Sequence, residues 1–228
     1  MLDTCPLMIF AAGFGTRMGA LTAQCPKPML EIAGRRMIDR AIDFGRDAGC
    51  APVVANTHYL ASVIRPVLED RGVLVSHEAP AILDTGGGLK QALSRLGGDI
   101  VATLNPDTAW LGPNPLASLR GAPWPDDAGA LLLLVPLERA HARTAPGDFE
   151  RAPDGRLARA GGYVYTGAQI IRADAVAGFS ESVFSLNAVW DALAAEGRLY
   201  GHLYQGEACD VGHPDGLALA DRLLKDRT

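Results

Sequence analysis

The chain has 228 residues, 48 % of them hydrophobic and 21 % charged, with 21 Lys and Arg against 26 Asp and Glu for a formal charge of −5. That length suits one domain with a sizeable core, and the acidic balance without a basic block argues against a protein that coats nucleic acid. The longest apolar run, ALLLLVPL from Ala130 to Leu137, falls well short of the roughly 20 residues of a membrane span, so no membrane role is expected.

The N-terminus, MLDTCPLMIFAAG, opens with an acid and runs quickly into glycine, which does not read as a secretory leader. Leu7 to Ala12 predicts a first buried strand, and Met37, Ile38, Ala41, Ile42 and Gly45 recur at helical spacing before a stop at Gly49. PVVANT (52–57) predicts a second strand. Leu60, Val63, Ile64, Val67 and Leu68 form a helical stripe in which Pro66 predicts a kink or a late start. Further strands are expected at Val73 to His77 and Ile100 to Asn105, with a helix between them that Gly86 to Gly88 open, that Leu89, Ala92, Leu93 and Leu96 mark, and that ends at Gly97.

Beyond these, Ala130 to Leu137 predicts a strand, Arg143 to Gly162 a loop or hairpin, and Gly162 to Ile171 another strand. Asn187 to Glu196 predicts a helix, Leu199 to Tyr204 a short strand, and Pro214 the start of a terminal helix. Alternating strands and helices predict an α/β fold with a mostly parallel sheet, and no linker or repeat divides the chain. The four cysteines, Cys5, Cys25, Cys50 and Cys209, form no C-x-x-C pair and are expected reduced in a cytoplasmic protein.

Ligands of such sheets bind beyond the carboxyl ends of the strands. AAGFGTRMG, ANTH, HEAPAILDTGGG and LNPD all fall there. The first is not a dinucleotide fingerprint. Gly13 and Gly15 fit G-x-G-x-x-G, but the third place is Met18, and Pro26 and Pro28 interrupt the helix that such a fingerprint should open. It also lacks the G-K-[ST] of a P-loop. A glycine-rich loop brings backbone N–H groups close to phosphate oxygens, and Arg17 with Lys27 adds a guanidinium fork and a point charge. That combination suits a nucleoside triphosphate.

AAGFGTRMGALTAQCPKPML resembles the signature of the sugar-1-phosphate nucleotidyltransferases, A-A-G-x-G-[ST]-R-[ML] followed by P-K-P-[ML]. The likeness continues through LDTGGGLKQAL, LNPD, YTGAQII, FSLNAVWDALAAEGRLYG and CDVGHPDGLALAD, nearly the whole chain. It is nearest to short bacterial enzymes of the N-acetylmuramate 1-phosphate uridylyltransferase type, with mannose-1-phosphate guanylyltransferases further off. The resemblance implies a Rossmann-like three-layer α/β/α fold and one nucleotidyltransferase domain without the β-helix or acyltransferase domain of longer members. It also implies Mg²⁺-dependent transfer of a nucleotidyl group to a sugar 1-phosphate, with UTP the expected donor. The alternatives are a guanylyl enzyme, a phosphocholine cytidylyltransferase and a non-catalytic nucleotide-binding regulator, and the expected state is a monomer or small homo-oligomer.

Residue by residue, the resemblance implies that Arg17 grips the departing phosphates and that Lys27, in an extended PKP segment, meets the α-phosphate or sugar phosphate. Asp107 and Asp210 are the implied metal ligands, although Asn105-Pro106-Asp107 carries proline where the family has glycine. The nucleotide is expected at Ala11, Ala12, Gly13, Gly15, Thr16, Glu78, Gly86, Gly87 and Asn105, with Glu78 accepting from the base and the glycines leaving it room. The sugar is expected at Asn56, His58, Gly147, Asp148, Thr166 and Gly167. Trp110, Trp124 and Trp190 are read as packing.

Overall fold

Alternation along β1 (Cys5–Ile9) sends Leu7 and Ile9 to one face of the central sheet and Met8 to the other, and all three are fully buried. A strand covered on both faces belongs in the middle of a parallel sheet flanked by helices, and the computed structural model, which describes residues 5–227, places it there. Residues 1–4 of the stretch read as no leader lie outside the described residues.

Chain order continues with α1 (Met37–Asp47), β2 (Cys50–Thr57), α2 (Ala61–Asp70), β3 (Leu74–His77), α3 (Asp84–Leu96) and β4 (Ile100–Leu104). β1 pairs in parallel with β2 on one side and β4 on the other, and β2 pairs in parallel with β3. The order β3-β2-β1-β4 therefore changes direction between β1 and β4. Connections leave a crevice at such a switch point, beyond the carboxyl ends of the two strands. The loops that enter this crevice are Phe10–Gly15 after β1 and Asn105–Asp107 after β4.

The second half adds β5 (Thr108–Leu111), α4 (Pro115–Gly121), β6 (Ala130–Pro136), β7 (Gly147–Arg151), β8 (Leu157–Gly161) and β9 (Tyr163–Arg172). It ends with α5 (Ala173–Ala177), α6 (Leu186–Ala195), β10 (Leu199–Leu203), β11 (Glu207–Asp210) and α7 (Pro214–Lys225). β9 runs antiparallel between β4 and β6, and β10 closes that edge parallel to β6. The sheet is thus largely parallel, with β9 the long exception. The stretch after Arg143 forms the hairpin β7–β8, which joins the start of β9 through Phe149 and Tyr163.

Two elements depart from expectation in their limits. α2 begins directly after Leu60 and continues through Pro66; Ile64 and Leu68, both fully buried, hold it to the sheet on either side of the one N–H that proline removes. α3 begins at Asp84, two residues ahead of the glycines expected to open it, and takes in Gly86, Gly87 and Gly88, poor helix formers that are all buried by close neighbours. The short strands β5 and β11 carry no periodic signal in the sequence. They pair antiparallel, apart from the main sheet, and cover a small core with α7 that includes Ile32, Met37, Ala109, Cys209 and Val211.

Candidate active site at the strand ends

The glycine loop is shaped by one residue above all. Gly15 sits at φ +63°, and a Cβ there would stand 3.0 Å from the Cβ of Lys27 and 3.1 Å from Thr22 Cγ2. Its carbonyl accepts from Met18 N (2.9 Å) and Thr22 Oγ1 (3.1 Å), which closes the loop on itself. The PKP segment therefore packs directly under the loop. It is not extended throughout: Lys27 opens a single 3₁₀ turn, Lys27–Met29, because Pro28 fits a first turn where no N–H is needed. Gly13 has nothing within 4 Å of a hypothetical Cβ and faces the cleft.

Asp107 and Asp210 meet through β5 and β11. Their register sets Thr108 opposite Asp210, and Val211 N donates to the Asp107 carbonyl at 2.9 Å. Lys27, 8 % exposed, forms an ion pair with Asp107 Oδ2. Arg17 is exposed and lines two recesses of the cleft beside Asp107. Burial first, then the charge of Asp107, raises the Asp210 carboxyl above its usual value, while Lys27, Arg17 and His213 pull it down. Gly212 keeps this cluster tight, since a Cβ there would lie 2.8 Å from Asp210 Oδ2 and 3.1 Å from Arg17 Nη1. Among the described residues no group of three or more His, Cys, Asp or Glu side chains is placed to hold a metal. Two carboxylates alone suit a cation such as Mg²⁺, which fills its remaining positions with water and phosphate oxygens.

Four recesses meet around Asn105 and Asp107. One is lined by Phe10, Gly13, Thr16, Arg17, Lys27 and Asp107. A second, lined by Ala12, Gly13, Asn56, Ile82, Asp84 and Thr85, opens on the β2 side. A third holds Arg17, Arg143, Thr166, Gly167 and Asp210. The fourth, of about 390 Å³, is lined by Asp84, Arg143, Asp148, Arg159, Tyr165 and Trp190 among others. Polar groups set among aromatic rings are typical of a small-molecule pocket.

Most residues expected at the nucleotide line these recesses: Ala11, Gly13, Gly15 and Thr16 beside Arg17, and Ala12 and Asn105 next door. Three do not reach the cleft. Glu78 is fully buried, and its oxygens accept from Asn56 Nδ2 and Leu83 N, each at 2.7 Å. Gly86 and Gly87 are buried too. A Cβ on Gly86 would collide with the Phe184 ring, and one on Gly87 with the Ser182 carbonyl; both N–H groups donate to the Phe184 carbonyl. The room these glycines leave is filled by the 182–184 segment, not kept for a base.

The residues expected at the sugar are split. Asn56 is the last residue but one of β2, three strand spacings or roughly 14 Å from Thr166 and Gly167 on β9, too far for one hexose ring to touch both. His58 lines none of these four recesses. Its Nδ1 donates to the Glu78 carbonyl at 2.9 Å, and its ring meets Phe14 edge to face. Gly147 allows close pairing with Gly161, whose carbonyl would collide with a Cβ. Asp148 does line the largest recess, with one oxygen on Arg143 (2.6 Å) and the other on Tyr165 N (2.9 Å). Thr166 lines the recess of Asp210, its hydroxyl donating to the Leu133 carbonyl. Gly167, at φ +89°, lets Asn105 N reach its carbonyl at 2.7 Å.

Sequence reasoning missed Arg143, Arg159 and Tyr165, which sit in or beside the irregular hairpin, and gave no role to Asp84 and Thr85 within the quoted LDTGGG. Trp190, read as packing, does pack against Phe149 and Tyr165 and donates to Gln169 Oε1 at 2.9 Å, yet it also forms a wall of the largest recess.

Comparison with known proteins gives a consistent picture. The family described as MobA-like NTP transferase domain matches residues 7–151. The chain is 33 % identical over 233 aligned positions to the N-acetylmuramate alpha-1-phosphate uridylyltransferase of Caulobacter vibrioides, covering 96 % of each chain. It is 30 % identical over 215 positions to the protein of the same name from Neisseria meningitidis, covering 90 % of this chain and 92 % of that one. Among solved structures, HddC from Yersinia pseudotuberculosis complexed with GMP-PN superposes with a TM-score of 0.75 at 19 % identity, over 96 % of this chain and 99 % of that one. A UDP-glucose pyrophosphorylase complexed with UDP-glucose gives 0.76 at 15 %, over 99 % and 100 %. At those identities the structural likeness speaks for the fold.

Proposed function

The chain belongs to the MobA-like NTP transferase family, and from that membership we propose that it is a uridylyltransferase that moves UMP from UTP to a sugar 1-phosphate. The observation that carries this reading is the meeting of Asp107 and Asp210 with Lys27 and Arg17 at the switch point of the sheet. In the proposed reaction, an oxygen of the sugar phosphate attacks the α-phosphorus in line. The bond from that phosphorus to the oxygen bridging to the β-phosphate breaks, and pyrophosphate leaves with the electron pair.

Two anions must approach, so positioning and neutralisation dominate such catalysis. Arg17 faces the departing phosphates, and Lys27 moves between Asp107 and the α-phosphate. Asp107 and Asp210 would hold Mg²⁺. Bound there, the cation would screen the phosphate oxygens from the incoming phosphate. The nucleoside occupies the recess of Ala12, Gly13, Ile82 and Thr85, and the sugar that of Arg143, Asp148, Tyr165 and Trp190. The two full-length relatives favour UTP as donor and N-acetylmuramate 1-phosphate as the first acceptor to try.

The test is pyrophosphate release with Mg²⁺, crossing UTP, GTP, CTP and ATP with N-acetylmuramate 1-phosphate, glucose 1-phosphate, mannose 1-phosphate and phosphocholine. Release with UTP and a sugar 1-phosphate is expected. Release only with GTP or with CTP and phosphocholine would replace the donor, and no release with any pair would overturn the reading.

A further inference from the structure

A buried chain of hydrogen bonds links two walls of the nucleoside recess. Ala11 N donates to Asn56 Oδ1 (2.7 Å), Asn56 Nδ2 donates to Glu78 Oε1 (2.7 Å), and Leu83 N donates to Glu78 Oε2 (2.7 Å). Asn56 is 3 % exposed and Glu78 fully buried. The N–H at each end is a backbone donor, so the direction of every bond is forced: Asn56 must turn its oxygen to Ala11 and its amide nitrogen to Glu78. Gly88 makes room, since a Cβ there would stand 2.5 Å from Glu78 Oε1 and 2.9 Å from Asn56 Nδ2. Ala11 precedes Ala12 and Gly13 on one wall; Leu83 lies between Ile82 and Asp84 on the other.

We propose that Asn56 and Glu78 are positioning residues, a relay of fixed hydrogen-bond direction that sets the two backbone walls of the nucleoside recess, and that Glu78 acts through Asn56 and Leu83 without touching the nucleotide. The inference rests on the assignment of that recess to the nucleoside. The loop beyond Gly15 is held separately, by Met18 N and Thr22 Oγ1 on the Gly15 carbonyl and by Tyr59 Oη on the Thr22 carbonyl (2.9 Å). Ala11 also borders the recess of Arg17 and Lys27, but the loop beyond it has these ties of its own, so the relay acts chiefly on the nucleoside recess.

The chemistry supplies a specific rescue. Glu78→Gln introduces a second amide, and whichever way the two amides turn, one donor faces another donor. Asn56→Asp fails differently, setting two carboxylates against each other. Combining Asn56→Asp with Glu78→Gln satisfies every group again. The new carboxylate at position 56 accepts from Ala11 N and from the new amide at position 78, whose own oxygen accepts from Leu83 N.

The experiment measures binding of UTP and of inorganic tripolyphosphate by calorimetry, with thermal unfolding, for wild type, both single variants and the double variant. Each single variant leaves two like groups, donors or carboxylates, facing each other in a buried site, and is expected to weaken UTP about tenfold or more and leave tripolyphosphate within about twofold. The double variant is expected to return UTP affinity to within about threefold of wild type and to recover the lost Tm. A double variant no better than the weaker single would overturn the relay. Parallel loss of tripolyphosphate, or recovery of Tm without recovery of UTP affinity, would overturn its role in the nucleoside walls. If wild type bound tripolyphosphate but no nucleoside triphosphate, the functional reading would fail instead, and the Tm cycle would still decide whether the relay exists.

Discussion

Lys27 is the most constrained charge of the cleft. It is buried between the glycine loop and Asp107, and it pairs with that carboxylate. A buried ammonium without a partner would be costly, and Asp107 offsets the charge of Lys27. Removing either partner is then felt by the other. Lys27→Met is expected to lower kcat at least about a hundredfold, the scale of losing one charge aimed at a transition state, with UTP binding largely kept. Asp107→Asn should do the same. Steady-state kinetics beside calorimetric UTP titration checks both, and unchanged turnover in either would remove it from the reaction. The resemblance implies a base contact for Glu78, but the fold turns its carboxylate inward onto Asn56 and Leu83.

At the scale of elements, the two glycines of the loop after β1 separate structure from binding. Gly15 needs its positive φ and its closeness to Lys27 and Thr22, whereas Gly13 has open space. Gly15→Ala is expected to cost about 1–2 kcal/mol from the left-handed backbone alone, and so to lower both Tm and kcat. Gly13→Ala should leave Tm within about 1–2 °C and raise the KM for the nucleotide. Parallel melting curves and kinetics distinguish the two. α4 offers a control far from the chemistry. Asn114 caps it, accepting from Leu116 N and Ala117 N, and its amide reaches the Phe44 carbonyl of α1 at 2.9 Å. Asn114→Ala is expected to cost about 1 kcal/mol, or about 2–4 °C in Tm, with kcat and KM unchanged in the same assays.

Across the whole molecule, stability should depend on pH through His202 on the edge strand β10. Burial first, then Arg151, lowers its pKa below the usual 6.5. The unfolded chain therefore binds a proton that the folded chain refuses. The resulting stability is full above the ordinary value and is lost as pH falls through the lower folded one. Tm is expected to drop between about pH 7.5 and 5, and His202→Gln should flatten that drop. Calorimetric scans at the two pH values test it, and an equal drop in both proteins would clear His202.

The parts legible in the sequence are those that local physics dictates. Apolar periodicity marks β1 through β4 and their helices, because burial on one face or both imposes period 3.6 or continuous runs. Arg17 and the glycines stand within one loop, where a short motif is enough to place them together. The hairpin β7–β8, the short strands β5 and β11, and the arginines of the largest recess were less visible, since four- and five-residue strands with mixed patterns carry little periodic signal. Which distant residues meet is set by long-range folding alone. Asp107 and Asp210 come together through the β5–β11 register, Asn56 parts from Thr166 because β1 and β4 run between them, and Glu78 is sealed under Gly88. Each outcome depends on long-range strand pairing and close packing, which no window of neighbouring residues encodes.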